Sequence, residues 1–229
     1  MTPRPLGSHA RGPVTDVVVV PGAPLLLPEY QGRVEAVAGL VDACVAAVRS
    51  AVATASHVVV VHATDRDPRT TRPPLGLRVA DHLLAASHLD FEVEHVAVAW
   101  DAPLTACVDA GRALVPAAQA GSAPGAETTL LVVADGSARR TEKAPGHLDP
   151  RAAAVDEAIV DAVRSTGEGG RQSLLELDPE LCADLLVAGR APLQVLAAAA
   201  EDVPLGVASL EVSDPFGVLY VVAHLTRTA

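Results

Sequence analysis

The stretch TTLLVVADGSARRTEKAPGHLDPRA, residues 128–152, decides the fold. Leu130 to Ala134 is an apolar run too short for a helix and rich enough in Leu and Val for a strand buried on both faces. It stops at the turn cluster Asp135-Gly136-Ser137. A polar segment with Arg139, Arg140, Lys143 and His147 follows, and then Asp149-Pro150, where Asp suits a helix N-cap and Pro the first helical position. Strand, long polar loop and helix in that order read as an α/β unit. In open α/β sheets, loops leaving the carboxyl ends of strands are where ligands bind, so this loop is expected to line any site.

Upstream, the pattern repeats. Asp16 to Val20 reads as a first strand ending at Pro21-Gly22-Ala23-Pro24. Val34, Val37, Ala38, Val41, Val45, Val48 and Val52 form one apolar stripe of a helix over about 33–55. Val58 to Val61 is a second strand that His62 ends, leading into Ala63-Thr64-Asp65-Arg66-Asp67-Pro68. A helix over 76–88, a strand over 93–100 closed by Trp100-Asp101, and a helix over 104–115 complete this half, with Gly111 allowing a close helix contact. Residues 119–127 read as a surface loop.

Downstream, a helix runs from Asp149 to Arg164, with Ala152, Val155, Ile159 and Val163 inward. Gly167-Glu168-Gly169-Gly170 reads as a flexible break. Asp178-Pro179 starts a short helix that Gly189 terminates, and Ala191-Pro192 starts another ending near Ala200. Together they make a compact helical corner suited to packing or to subunit contact. Strands over 205–212 and 217–225, joined by Ser213-Asp214-Pro215-Phe216, form an antiparallel hairpin. The expected architecture is a single α/β domain over 14–229, a mixed central sheet with helices on both faces and a C-terminal hairpin, preceded by a flexible tail over 1–13.

Composition excludes several classes. A formal charge of −11 argues against nucleic acid or an anionic membrane as partner, since both select basic surfaces. No stretch approaches the roughly 20 apolar residues of a membrane span. With aromatics at 2%, the core must be built from Val, Leu and Ala. Cys44, Cys107 and Cys182 have no metal-type spacing and read as small buried hydrophobes in a reduced, cytoplasmic protein. No Gly-x-Ser-x-Gly elbow surrounds Ser137, and no phosphate loop or dinucleotide fingerprint is present.

Three segments, VVVVPGAPLLLPEYQG (17–32), VVADGSARRTEKAPGHLDPRAAAVDEAIVDAV (132–163) and DPFGVLYVVAHL (214–225), resemble the LigB-like superfamily of class III extradiol ring-cleavage dioxygenases. The resemblance is narrower to the small, alanine-rich branch found in high-GC actinobacteria, and it spans about Val17 to Leu225. It implies a ferrous ion held by two His and one Glu, and a further His as acid-base catalyst. The first iron His matches Gly22, with Ala23 the nearby rival, and neither binds metal. The second matches His62, with Thr64 as the alternative two residues on; the Glu matches Glu211, between Leu210 and Val212. The catalytic His falls on Asp135-Gly136-Ser137-Ala138, where there is none, and His147 lies well past the strand end.

Extradiol cleavage needs the facial metal triad and a proton-moving residue together. The resemblance therefore implies a degenerate homologue with no catalytic residue assigned. It is expected to bind a small polar or anionic metabolite in a pocket of Gly22, Ala23, Pro24, His62, Thr64, Asp135, Gly136, Ser137 and Arg139. No cofactor is expected. Two alternatives stay open: an enzyme with a rearranged non-haem Fe(II) or other metal centre, using His62, Asp65 or Asp67, and Asp135 or Glu211, and a structural or interaction protein, as a homo-oligomer or the partner of a catalytic subunit, for which the pocket would be filled.

Overall fold

The computed structural model describes residues 12–30, 37–65, 71–87, 92–115, 127–165 and 167–228. Residues 1–11 of the N-terminal tail, the helix start near 33, Arg66, Asp67, Arg69, His88 and the loop 119–126 lie outside the described residues.

Six strands form one mixed sheet. They are β1 (Val14–Val20), β2 (His57–Thr64), β3 (Glu92–Ala99), β4 (Thr128–Val133), β5 (Leu205–Ser213) and β6 (Tyr220–Arg227), in the spatial order β3-β2-β4-β1-β6-β5. β3, β2, β4 and β1 run parallel, while β6 is antiparallel to both β1 and β5. The carboxyl ends of the four parallel strands therefore lie at one edge, together with the start of β6. Every residue of β4 is buried, as an unbroken apolar run in a sheet covered on both faces requires.

Helices α1 (Ala38–Ala51) and α2 (Leu75–Ser87) cover one face, over Val18, Val20, Val58, Val60, Leu131 and Val133. The opposite face, over Val17, Val19, Val59, Val61, Leu130 and Val132, carries α3 (Leu104–Leu114), α4 (Ala152–Ser165), α5 (Glu168–Leu175), α6 (Pro179–Asp184) and α7 (Arg190–Ala199). Burying one such Val or Leu side chain contributes about 1.5–3 kcal/mol, and the two clusters together hold the sheet between them.

All ten residues of α7 are buried, so the helix expected at a corner is the centre of its layer, packed on the sheet and against α3 and α5. Gly111 of α3 makes that approach possible: a Cβ there would lie 2.4 Å from the Val195 carbonyl oxygen. The buried Arg190 guanidinium donates to the carbonyls of Trp100 (2.8 Å) and Ala102 (2.7 Å) and to Gln194 Oε1 (2.8 Å). Gln194 in turn donates to the carbonyls of Leu175 and Leu177. This network ties α7 to the end of β3 and to the turn after α5.

Two local readings need correction. Gly167-Glu168-Gly169-Gly170 is no break, because Glu168 opens α5 and Gly170 packs against the Ala162 carbonyl in α4, where a side chain would not fit. Gly189 does not terminate α6 with a left-handed turn; that conformation falls on Leu186, with φ 56°. Gly189 is required instead by closeness, since a Cβ there would sit 2.4 Å from the Asp135 carbonyl oxygen, which accepts its N–H. The Asp178 cap and Pro179 start stand as read, with Asp178 Oδ1 accepting the Leu181 N–H at 2.7 Å.

Candidate functional site

The loop after β4 is anchored along its length. Ser137 is fully buried; its hydroxyl donates to the Leu185 carbonyl (2.8 Å) and accepts the Arg139 N–H (3.1 Å). The Ser137 N–H donates to Asp156 Oδ1 at 2.7 Å, and the buried Asp156 accepts from Arg140 Nη1 at 3.0 Å. Arg140 also holds Asp214 of the β5–β6 connection at 2.8 Å. Burial pushes the Asp156 carboxyl above its ordinary pKa, against the pull of Ser137 N–H and Arg140. Gly136 is locked between Asp156 and Leu219, and Arg139 stacks its stem on Gly146 with its guanidinium 3.7 Å from Asp149. Ser137, Gly136 and Arg139 therefore build the loop, and none of them is among the residues lining the cavity beside it. His147 takes a left-handed turn conformation, φ 59°, with its ring at the Glu142 carbonyl.

The opening lies beside that loop, across the carboxyl ends of β2 and β3. A cavity of 740 Å³ runs from Pro24 and Tyr30 over Ala63, Thr64 and Asp65 to the start of α2 and on to Trp100 and Ala188. Of the expected pocket residues, Pro24 and Thr64 line it, joined by Asp65. Its polar wall is basic: Arg72 and Arg78 lie 5.8 and 5.7 Å from the centroid of the Tyr30 ring, and both donate to Glu29. The amino end of α2, after Pro73-Pro74, adds partial positive charge to the same wall. Its apolar wall is Trp100, 41% exposed, with Pro24 and Leu75. The sequence carried signals for this wall, namely the lone Trp at a strand end and an Arg one turn into a helix preceded by Pro-Pro.

Asp135 sits between cavity residues without being on the wall. Its backbone meets Gly189, next to Ala188, and its side chain points to the α1–α2 face, as Val133 does two residues earlier. Oδ1 accepts the Gly22 N–H at 2.9 Å, and a Cβ on Gly22 would lie 3.1 Å from Oδ2. Desolvation pushes its pKa up to about 7, against the pull of that N–H. The buried Tyr220 hydroxyl is pushed up to about 12 by its own desolvation and by the Asp135 charge. Cys44, on α1, is raised to about 12 by burial first, then by Glu211 and Asp135. Gly22 and Asp135 thus form a matched pair: where the resemblance expects an iron-binding His, the carboxyl at the end of β4 takes the space and the backbone N–H.

His62 is buried within β2, beneath the first turn of α2. Its Nδ1 faces the Ala63 carbonyl at 3.2 Å, and desolvation lowers its pKa, which favours the neutral ring. Glu211 is exposed on the edge strand β5, on the same side of the sheet. The register separates the two. His62 pairs with Val133 and Val133 with Val20, while Glu211 pairs with Val222 on the far side of β6. They share a level but stand four strand spacings apart, roughly 19 Å, too far for one ion. Gly22 supplies no donor atom, and among the described residues no three His, Cys, Asp or Glu side chains converge on a metal position. The residues present do not fit a facial ferrous centre.

No protein-family model matches the chain, and no curated protein matches it. Among solved structures it is similar to an uncharacterized protein, JW3007, from Escherichia coli K12. The match has a TM-score of 0.50 and 12% identity over 93% of this chain and 99% of that one. At that identity the likeness carries the fold alone. Among the described residues, no helix is long and apolar enough to cross a membrane.

Proposed function

We propose that this chain is a LigB-like homologue that has lost the ring-cleavage iron centre and binds a small, ring-bearing anion at the carboxyl ends of its strands. The observation that carries this reading is the 740 Å³ cavity, with Arg72, Arg78 and the amino end of α2 on one wall and Trp100, Pro24 and Leu75 on another. A carboxylate would meet the guanidinium wall, where charge-assisted hydrogen bonds are strong. A planar ring would lie against Trp100 and the prolines. Glu29, which both arginines hold, and the exposed Asp65 offset the two positive charges, so an anion would be held by directed guanidinium hydrogen bonds and not by net charge, which suits a monoanion better than a phosphate.

Two features support a binding role over ring cleavage. The pairing of Gly22 with Asp135 puts a carboxyl, engaged by the Gly22 N–H, where the resemblance expects the first iron His. The separation of His62 from Glu211 divides the other two. An open cavity also favours a ligand over a purely structural role, for which the site would be filled by side chains.

Isothermal titration of the purified chain with benzoate, beside neutral benzyl alcohol, tests the reading. Benzoate is expected to bind at a single site, and Arg78→Gln to weaken it about tenfold, the loss of one charged hydrogen-bonding group. Equal affinity for benzoate and benzyl alcohol, or a benzoate affinity untouched by Arg78→Gln, would overturn it.

A further inference from the structure

Trp100 and Ala188 belong to two openings at once. Beyond the cavity described above they also line an apolar slot of 190 Å³, whose other walls are Cys182, Ala183, Leu186 and Val187. Trp100, which is 41% exposed, is thus a wall common to both spaces. The slot has no charged lining residue; Cys182 is buried, with its thiol raised to about 11 mainly by desolvation.

Leu186 marks the slot independently. It occupies the residue after the C-cap of α6, with φ 56°, a region that β-carbon sterics reserve largely for glycine. The turn closes with the Val187 N–H on the Cys182 carbonyl at 2.8 Å, a helix-ending geometry in which glycine is the usual residue. Here the strained position carries a large apolar side chain that remains 47% exposed, at the rim of an apolar slot. Strain held at a ligand-facing position points to a role for that side chain.

We infer that the slot is a second subsite, which takes an apolar substituent of the anion bound in the main cavity, so that the ligand class is a ring-bearing monoanion with a short alkyl or similar side chain. This rests on the anion reading of the main cavity. The ring lies on Trp100, the acid group faces Arg72 and Arg78, and the substituent crosses the indole into the space bounded by Ala183 and Leu186. A carbon chain entering this space leaves water for a mostly apolar lining, and each buried methylene tightens binding about fourfold.

The test uses the full chain and a series of defined probes: benzoate, 4-methylbenzoate, 4-propylbenzoate and the uncharged 4-propylphenol, each by titration calorimetry. The expected result is that 4-propylbenzoate, with two more methylenes, binds about fifteenfold tighter than 4-methylbenzoate. Two variants should erase that ratio while leaving benzoate affinity unchanged. Ala183→Leu fills the slot with a good helix former, and Leu186→Gly removes its rim while relieving the left-handed strain, so both are expected to fold, with thermal midpoints as the check. A ratio near one in the wild-type chain, or a ratio that both folded variants keep, would overturn the slot while leaving the anion site standing. Binding of 4-propylphenol that Ala183→Leu abolishes, with no binding of any benzoate, would keep the slot as an apolar site and overturn the anion reading. No binding of any probe would overturn both.

Discussion

Particular polar groups on the two faces of the sheet are held in contrasting ways. On the α3–α7 face, three buried polar groups are each held by several partners: Arg190 by two carbonyls and Gln194, Gln194 by two more carbonyls, and Asp156 by Ser137 N–H and Arg140. On the α1–α2 face, Asp135 has the Gly22 N–H as its hydrogen bond and His62 has a neighbouring carbonyl, and both are shifted by desolvation toward their neutral forms. The saturated face serves as scaffold, because a satisfied network fixes one arrangement. The other keeps polar groups whose ionisation is costly, beside the edge where the cavity opens.

The largest effect should come from breaking the saturated face. Arg190→Ala removes the donor that holds the Trp100 and Ala102 carbonyls and the Gln194 side chain, and leaves a void in a fully buried helix. Orphaned buried acceptors and the cavity together predict a loss of about 4 kcal/mol. Urea unfolding would show this as a shifted midpoint with an unchanged slope. A loss below about 1 kcal/mol would mean that the network is not what holds α7 against β3.

Asp135→Asn should do the reverse on the other face, and its effect should depend on pH. Asparagine keeps an oxygen for the Gly22 N–H and cannot ionise. In the wild-type chain the folded pKa of about 7 lies above the unfolded value of roughly 4, so the folded state holds a proton that the unfolded state has released. Stability from this group is thus fully present below about pH 4 and declines as pH rises to about 7. Relative to Asp135→Asn, the wild type should lose on the order of 3 kcal/mol between pH 5 and pH 8. Parallel unfolding midpoints for the two proteins across that range would show instead that the carboxyl is solvated and that the two faces do not differ in kind.

The scaffold was largely legible in the sequence, and the site was not. Valine runs marked β1, β2 and β4, the Asp178-Pro179 start was correct, and Gly111 was read as a close-contact residue, because each signal is local. The central place of α7 was missed because an alanine-rich helix that is apolar all round shows no stripe. The cavity walls come from segments far apart in the chain, Tyr30, Arg78, Trp100 and Ala188, which only the strand order brings together. The loop after β4 looked like a site because it is polar, but its polarity is consumed in anchoring it to α4 and the hairpin. The charge state of Asp135 is a matter of desolvation, which no spacing of residues encodes.

The smallest effects are expected where the resemblance placed iron. Glu211 is an exposed side chain on an edge strand, so Glu211→Gln should change stability by less than about 0.5 kcal/mol. After anaerobic reconstitution with ferrous ion and removal of excess metal, elemental analysis should find far less than one iron per chain, and the same amount in Glu211→Gln and in His62→Ala. The reason is topological. Moving both side chains onto one ion would require four strand spacings to close, which no rotamer change supplies. Near-stoichiometric iron lost in both variants would mean that the strand order differs in solution, and the contrast between the two faces would fall with it.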